Sequence, residues 1–124
     1  MYEYKIKSVD HLVDGDTFDC TVDLGFNISH KIRVRMYGIN TPESRTRDLE
    51  EKARGLESKE RLHTLLSSGF IDGNSLIVVT NKKGKYGRYL GTIYRQLKDG
   101  SEQLNINECM VNEGFAVEYF GGKR

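Results

Sequence analysis

The chain has 124 residues, 37% of them hydrophobic and 30% charged, which is the size of one domain spanning 1–124 and enough to bury a core without covalent staples. Lysine and arginine number 19 against 18 aspartates and glutamates, a net charge of +1, so a polycation that coats nucleic acid indiscriminately is excluded. Two cysteines, Cys20 and Cys109, are too few for a disulfide framework and lack metal-ligand spacing. Buried free thiols are expected, with a single bridge left open. No apolar run approaches the roughly 20 residues of a membrane span, and the N-terminus lacks the apolar centre of a signal peptide. A cytoplasmic protein without membrane association is expected, or a secreted one if a leader has been removed.

Residues 2–9 alternate weakly through Tyr2, Tyr4 and Ile6 and read as a first strand or lead-in. Asp14-Gly15 is a strong turn dipeptide, whose glycine can take positive φ, and from Thr17 to Leu24 the alternation is clear. Phe18, Cys20, Val22 and Leu24 share one face, so with a turn at Gly25-Phe26-Asn27 residues 16–37 read as a hairpin. Its second strand runs into the stretch around which the chain is organised, Arg33 to Glu43. Ile32, Val34 and Met36 face one way there, and Arg33, Arg35 and Tyr37 the other. The strand stops at Asn40-Thr41-Pro42-Glu43, where the only proline of the chain stiffens the loop. A guanidinium from a strand thus stands near a carboxylate on a stiffened loop, although the same residues also suit a polar strand edge ending in a surface turn.

From Asp48 to Ser68 the period becomes helical. Gly55 interrupts it, so the firm helix is expected from Leu56 to Leu66, ended by Gly69. Leu76 to Val79 is an apolar, β-branched run and reads as a buried strand. Tyr86 to Tyr94 reads as the next strand, with glycines where something approaches the backbone closely. Asn105 to Glu113 is a short helix stopped by Gly114. The order β-β-β-α-β-β-α has no alternation of the kind that builds a doubly wound parallel sheet. It points to a mainly β, α+β architecture: a five-stranded barrel of the oligonucleotide-binding (OB) type capped by helices. Basic residues gather at His30–Arg35 and Lys82–Arg88 and acidic ones at Asp10–Asp23 and Asp48–Glu60. That distribution suits a site taking in a polyanion beside a cation, or simply a solvated mixed surface. His11, His30 and His63 form no motif.

Four segments carry a more specific signal: Val13-Asp14-Gly15-Asp16-Thr17, Arg35-Met36-Tyr37-Gly38-Ile39-Asn40-Thr41-Pro42-Glu43, Lys85-Tyr86-Gly87-Arg88, and Asn107-Glu108-x-Met110-Val111-x-x-Gly114-Phe115-Ala116. In order and spacing they resemble the staphylococcal nuclease (thermonuclease) family, over a span running from Tyr4 to Phe120. The resemblance implies an OB barrel with three helices that hydrolyses phosphodiesters in DNA or RNA with one Ca²⁺ ion, leaving a 3′-phosphate and a 5′-hydroxyl. By position it makes Asp16 the first carboxylate ligand, Arg35 and Arg88 the guanidinium pair on the scissile phosphate, and Glu43 the residue that orients or deprotonates the attacking water. Asn40 falls where the family has its second metal-binding aspartate and Thr41 where a backbone carbonyl completes the shell. Lys85 and Tyr86 match residues lying along the nucleotide, and Tyr119 is a second stacking candidate.

The residue types suit that chemistry. Arginine meets the charge that grows on phosphoryl oxygens with two parallel hydrogen bonds in a fixed plane, and Ca²⁺ prefers carboxylate, carbonyl and water oxygens. Asn40 is the departure. An amide oxygen still ligates Ca²⁺, but the site loses a negative charge, so a weakly bound ion is expected, with Asp14, or Asp19 if the strand twists it inward, offsetting part of the loss. The alternative is a catalytically weakened or inactive OB-fold module that binds nucleic acid. DNA or RNA is the expected partner, no protein partner is evident, and a monomer is the default.

Overall fold

The computed structural model describes residues 2–83 and 88–120. Three strands, β1 (Tyr2–Asp14), β2 (Thr17–Gly25) and β3 (Ile28–Met36), form an antiparallel meander, followed by a short β4 (Ile39–Asn40) and helix α1 (Leu49–Ser68). Then come β5 (Ser75–Lys83), β6 (Tyr89–Gln96), β7 (Gln103–Asn105), helix α2 (Ile106–Asn112) and β8 (Val117–Glu118). The sheet order is β3-β2-β1-β5-β6-β7, and β3 also pairs with β6, which closes β1, β2, β3, β5 and β6 into a five-stranded barrel. The closing pair is parallel, matching Val34 with Tyr89 and Arg35 with Leu90. The expected OB-type barrel capped by helices is therefore what the chain forms. Two helices are present among the described residues, where the resemblance implied three. Neither is long and apolar enough to cross a membrane.

The inward alternation of β2 and β3 fills the core as the sequence predicts. Phe18, Cys20, Val22, Val34 and Met36 are buried, joined by Leu76 and Val78 from β5, Ile93 from β6, Leu62, Leu65 and Leu66 from α1, and Ile106 and Met110 from α2. Each such side chain contributes about 1.5–3 kcal/mol of hydrophobic stabilisation. Leu24, expected on the same face, lies beyond the barrel end and is exposed. Both cysteines are free thiols, Cys20 buried and Cys109 half-buried.

Four expectations are corrected. Strand β1 extends to Asp14 because irregularities between Ile6 and Ser8, Val9 and His11, and Leu12 and Asp14 carry its pairing with β2 onward; each bulge breaks the alternation that marks a strand in sequence. Helix α1 starts at Leu49 and runs through Gly55, with Asp48 as N-cap accepting from the backbone of Glu50 and Glu51. Strand β5 is not buried on both faces: Leu76 and Val78 point inward, whereas Ile77 and Val79 are half-buried. Gly15 sits in the β1–β2 turn without a positive φ. It is needed because a Cβ there would lie 2.7 Å from Ser58 Cβ on α1.

Candidate functional site

The β1–β2 turn and the end of β3 meet at one end of the barrel, because the hairpin register sets Thr17 opposite Arg35. The Met36 amide donates to the Asp16 carbonyl at 2.8 Å and fixes the turn against the strand. Asp16 is buried, at 5% exposure. Its Oδ1 accepts from Thr17 Oγ1 at 2.9 Å and its Oδ2 from the Thr41 amide at 3.0 Å. Arg35 faces away from the core, yet the 36–41 segment folds over it and leaves its side chain 15% exposed, with Nη1 3.5 Å from Asp16 Oδ2. Nη1 donates to the carbonyls of Met36 and Ile39 at 3.0 and 2.9 Å, and Nη2 donates to Asn40 Oδ1 at 3.3 Å. Asp16, Arg35, Asn40 and Thr41 thus form a single polar knot. Its charges are affordable because they oppose one another and are hydrogen-bonded.

Glu43 leaves this knot on an exposed loop whose backbone is clamped. A Cβ on Gly55 would lie 2.4 Å from the Glu43 carbonyl oxygen, so only glycine lets α1 carry the loop this closely. The Ser44 amide donates to Asp14 Oδ1 at 3.2 Å and its hydroxyl donates to the same oxygen. On the other side, β4 pairs with β8, setting Asn40 opposite Val117, and the Tyr119 amide donates to the Gly38 carbonyl at 2.8 Å. Asn107 on α2 completes the frame. Its Nδ2 donates to the carbonyls of Tyr37 and Gly91 at 2.9 and 3.2 Å, while its Oδ1 accepts from the Ile93 amide.

Of the residues singled out in the sequence, Asp16, Arg35, Asn40 and Thr41 come together, and Glu43 lies on the adjoining clamped loop. Arg88 is half-buried immediately before β6, the strand that pairs with β3. Tyr119 is half-buried beside the Gly38 turn. Lys85 and Tyr86 lie outside the described residues. Both candidate compensating carboxylates have protein partners. Asp14 is occupied by Ser44, and Asp19 is held at 2.7 and 3.0 Å by Arg33 on the outer face, which also keeps its carboxyl below the ordinary carboxylate range. Sequence reasoning passed over Ser44 and Ser58 altogether, took Gly55 only as an interruption of the helix, and quoted Asn107 without a role. A glycine inside a helical pattern was the available signal.

A cleft of about 460 Å³ opens beside Asn40, Thr41 and Pro42, walled by α1 and Val117. Among the described residues no group of three histidine, cysteine, aspartate or glutamate side chains could hold a metal, so a soft or strongly charged site does not fit. What the knot offers is one carboxylate, one amide oxygen and peptide oxygens, a donor set suited to a hard cation bound with modest affinity.

Comparison with curated proteins finds no match. The family model described as staphylococcal nuclease homologue matches residues 33–124. Asp16, on the turn before β2, precedes the matched span and joins it through the hairpin register. With three quarters of its length matched and the five-stranded barrel closed as that fold requires, the chain belongs to the staphylococcal nuclease homologue family.

Proposed function

We propose that residues 1–124 act as one unit, a nuclease that hydrolyses phosphodiester bonds in DNA or RNA. The observation that carries this reading is the convergence of buried Asp16 and Thr41 with half-buried Arg35 and Asn40 in one knot beside the clamped Glu43 loop. Arg35 and Arg88 bind the phosphate. Two main-chain carbonyls hold Arg35 Nη1, so its plane is set before substrate arrives, and preorganised donors of this kind are commonly worth about 3 kcal/mol in the transition state. Glu43 accepts the proton of a water whose oxygen forms the new bond to phosphorus. The bond to the 5′-oxygen breaks, and the leaving oxygen takes a proton from solvent, giving a 3′-phosphate and a 5′-hydroxyl. Asp16, Asn40 and the Thr41 carbonyl would hold one Ca²⁺, which supplies charge neutralisation at the phosphate. Lys85, Tyr86 and Tyr119 lie along the nucleotide.

The test is cleavage of single-stranded DNA with Ca²⁺, with EDTA, and with Glu43→Ala. Ca²⁺-dependent cleavage that falls at least a hundredfold in Glu43→Ala, with the thermal midpoint unchanged, is expected. Binding without cleavage in Ca²⁺, Mg²⁺ or Mn²⁺ would instead describe a binding barrel that keeps the shape of a site.

A further inference from the structure

A second groove, of about 660 Å³, runs between β1 and the C-terminal half of α1, away from the Asp16 knot. The two are neighbours along α1. Gly55 lies against Glu43 and Ser58 against Gly15, and the next residue, Lys59, already lines the groove. On the strand side Leu12, two residues before Asp14, does the same. From there the groove follows β1 back to Lys7, about 16 Å at the strand rise of roughly 3.3 Å per residue, which is room for a few nucleotides.

The chemistry of the walls selects an anion. Lys7 and His11 come from β1, and Lys59 and His63 from α1. Among the described residues neither lysine forms an ion pair. Of the acids on this side, Asp10 lines the groove and accepts from Ser8 Oγ and Thr21 Oγ1 at 2.7 Å each, so one carboxylate stands against two lysines, and Asp19, opposite His11 in the β1–β2 register, is held by Arg33. The far end is marked by Phe70, 44% exposed just past the helix terminus, an aromatic face on which a base of any identity can stack. Cationic walls with an aromatic at the end are how sequence-tolerant grooves hold a single strand.

Resting on the nuclease reading, we propose that this groove is a track for single-stranded nucleic acid, taking up phosphates of a strand longer than the Asp16 knot itself spans, so that long substrates bind more tightly than short ones. It is tested by fluorescence anisotropy in EDTA with labelled single-stranded DNA, comparing a long oligonucleotide with a dinucleotide. The Lys7→Glu/Lys59→Glu variant should bind the long strand about tenfold more weakly, with a salt slope shallower by about 1.4 for two lost phosphate contacts, and leave the dinucleotide unaffected. Ser67→Glu, which places a charge in the same groove, should weaken the long strand in the same sense. If both variants bind it like the wild type while Arg35→Gln weakens it, the track is overturned and the active-site reading survives. If the lysine variant loses binding and Arg35→Gln does not, the track stands and the active-site reading falls. A wild type that binds no single-stranded DNA overturns the track outright.

Discussion

Asn40 decides how much charge the knot can offer a cation. Its Oδ1 accepts from Arg35 at 3.3 Å, so an aspartate there would turn a neutral acceptor into a charged one and bring a second carboxylate beside Asp16. Ca²⁺ affinity tracks the charge of the ligand set, and Asn40→Asp is expected to tighten Ca²⁺ binding about tenfold by calorimetry. Unchanged affinity would remove Asn40 from the proposed shell. The Arg33–Asp19 pair, at 47% and 30% side-chain exposure, gives a pH signature instead. The Arg33 hydrogen bond lowers the Asp19 carboxyl in the folded state, so the pair stabilises the fold above the ordinary carboxylate value of about 3.9 and that contribution fades as pH falls through the lower folded value. Exposure limits it to about 0.5 kcal/mol. In urea titrations Arg33→Gln should be less stable than wild type by that amount at neutral pH and should converge with it in strong acid; a difference that persists there would point to packing instead of charge.

At the scale of elements, α1 is the support against which both site loops are set, and the two smallest residues on its inner face, Gly55 and Ser58, mark the points of contact. An alanine in a helix interior normally stabilises relative to glycine by about 1 kcal/mol. Gly55→Ala is expected to do the opposite, by roughly 1–3 kcal/mol, since its Cβ would displace the Glu43 carbonyl. Cleavage should fall further than the loss of folded protein accounts for, when activity is normalised to the folded fraction from circular dichroism. A stabilised, fully active variant would show that the loop is not held by this contact. The same glycine shows why sequence reading stopped short of the helix start. Its helical cost is local and visible, whereas the contact that requires it comes from Glu43, 12 positions upstream by number. Periodicity found the hairpin and its core face because those signals repeat every two residues. It missed the far half of β1, whose bulges reset the repeat, and it could not tell that Asp14 and Asp19 were already occupied, because Ser44 and Arg33 reach them only through the folded register.

For the whole molecule, Cys20 reports on the barrel as a unit. It is fully buried, and burial pushes its thiol up to about 12, so almost no thiolate exists in the native state at neutral or mildly alkaline pH. Labelling by an aromatic disulfide reagent should modify Cys109 first, with Cys20 following only at the rate of global opening. Equal rates for the two would mean that the barrel opens locally at β2.

Closure of that barrel also has a bearing on when the protein becomes active. Arg35 is fixed early in the chain, but the strand that seals its edge is β6, and Arg88 enters with it. On the proposed activity, a chain still being synthesised carries the Asp16 turn, Arg35 and Glu43 without the partner strand that completes the phosphate grip. On that reading the parallel β3–β6 pairing would act as an interlock on a chain made by a machine built of RNA: the complete phosphate grip waits until β6 has been made.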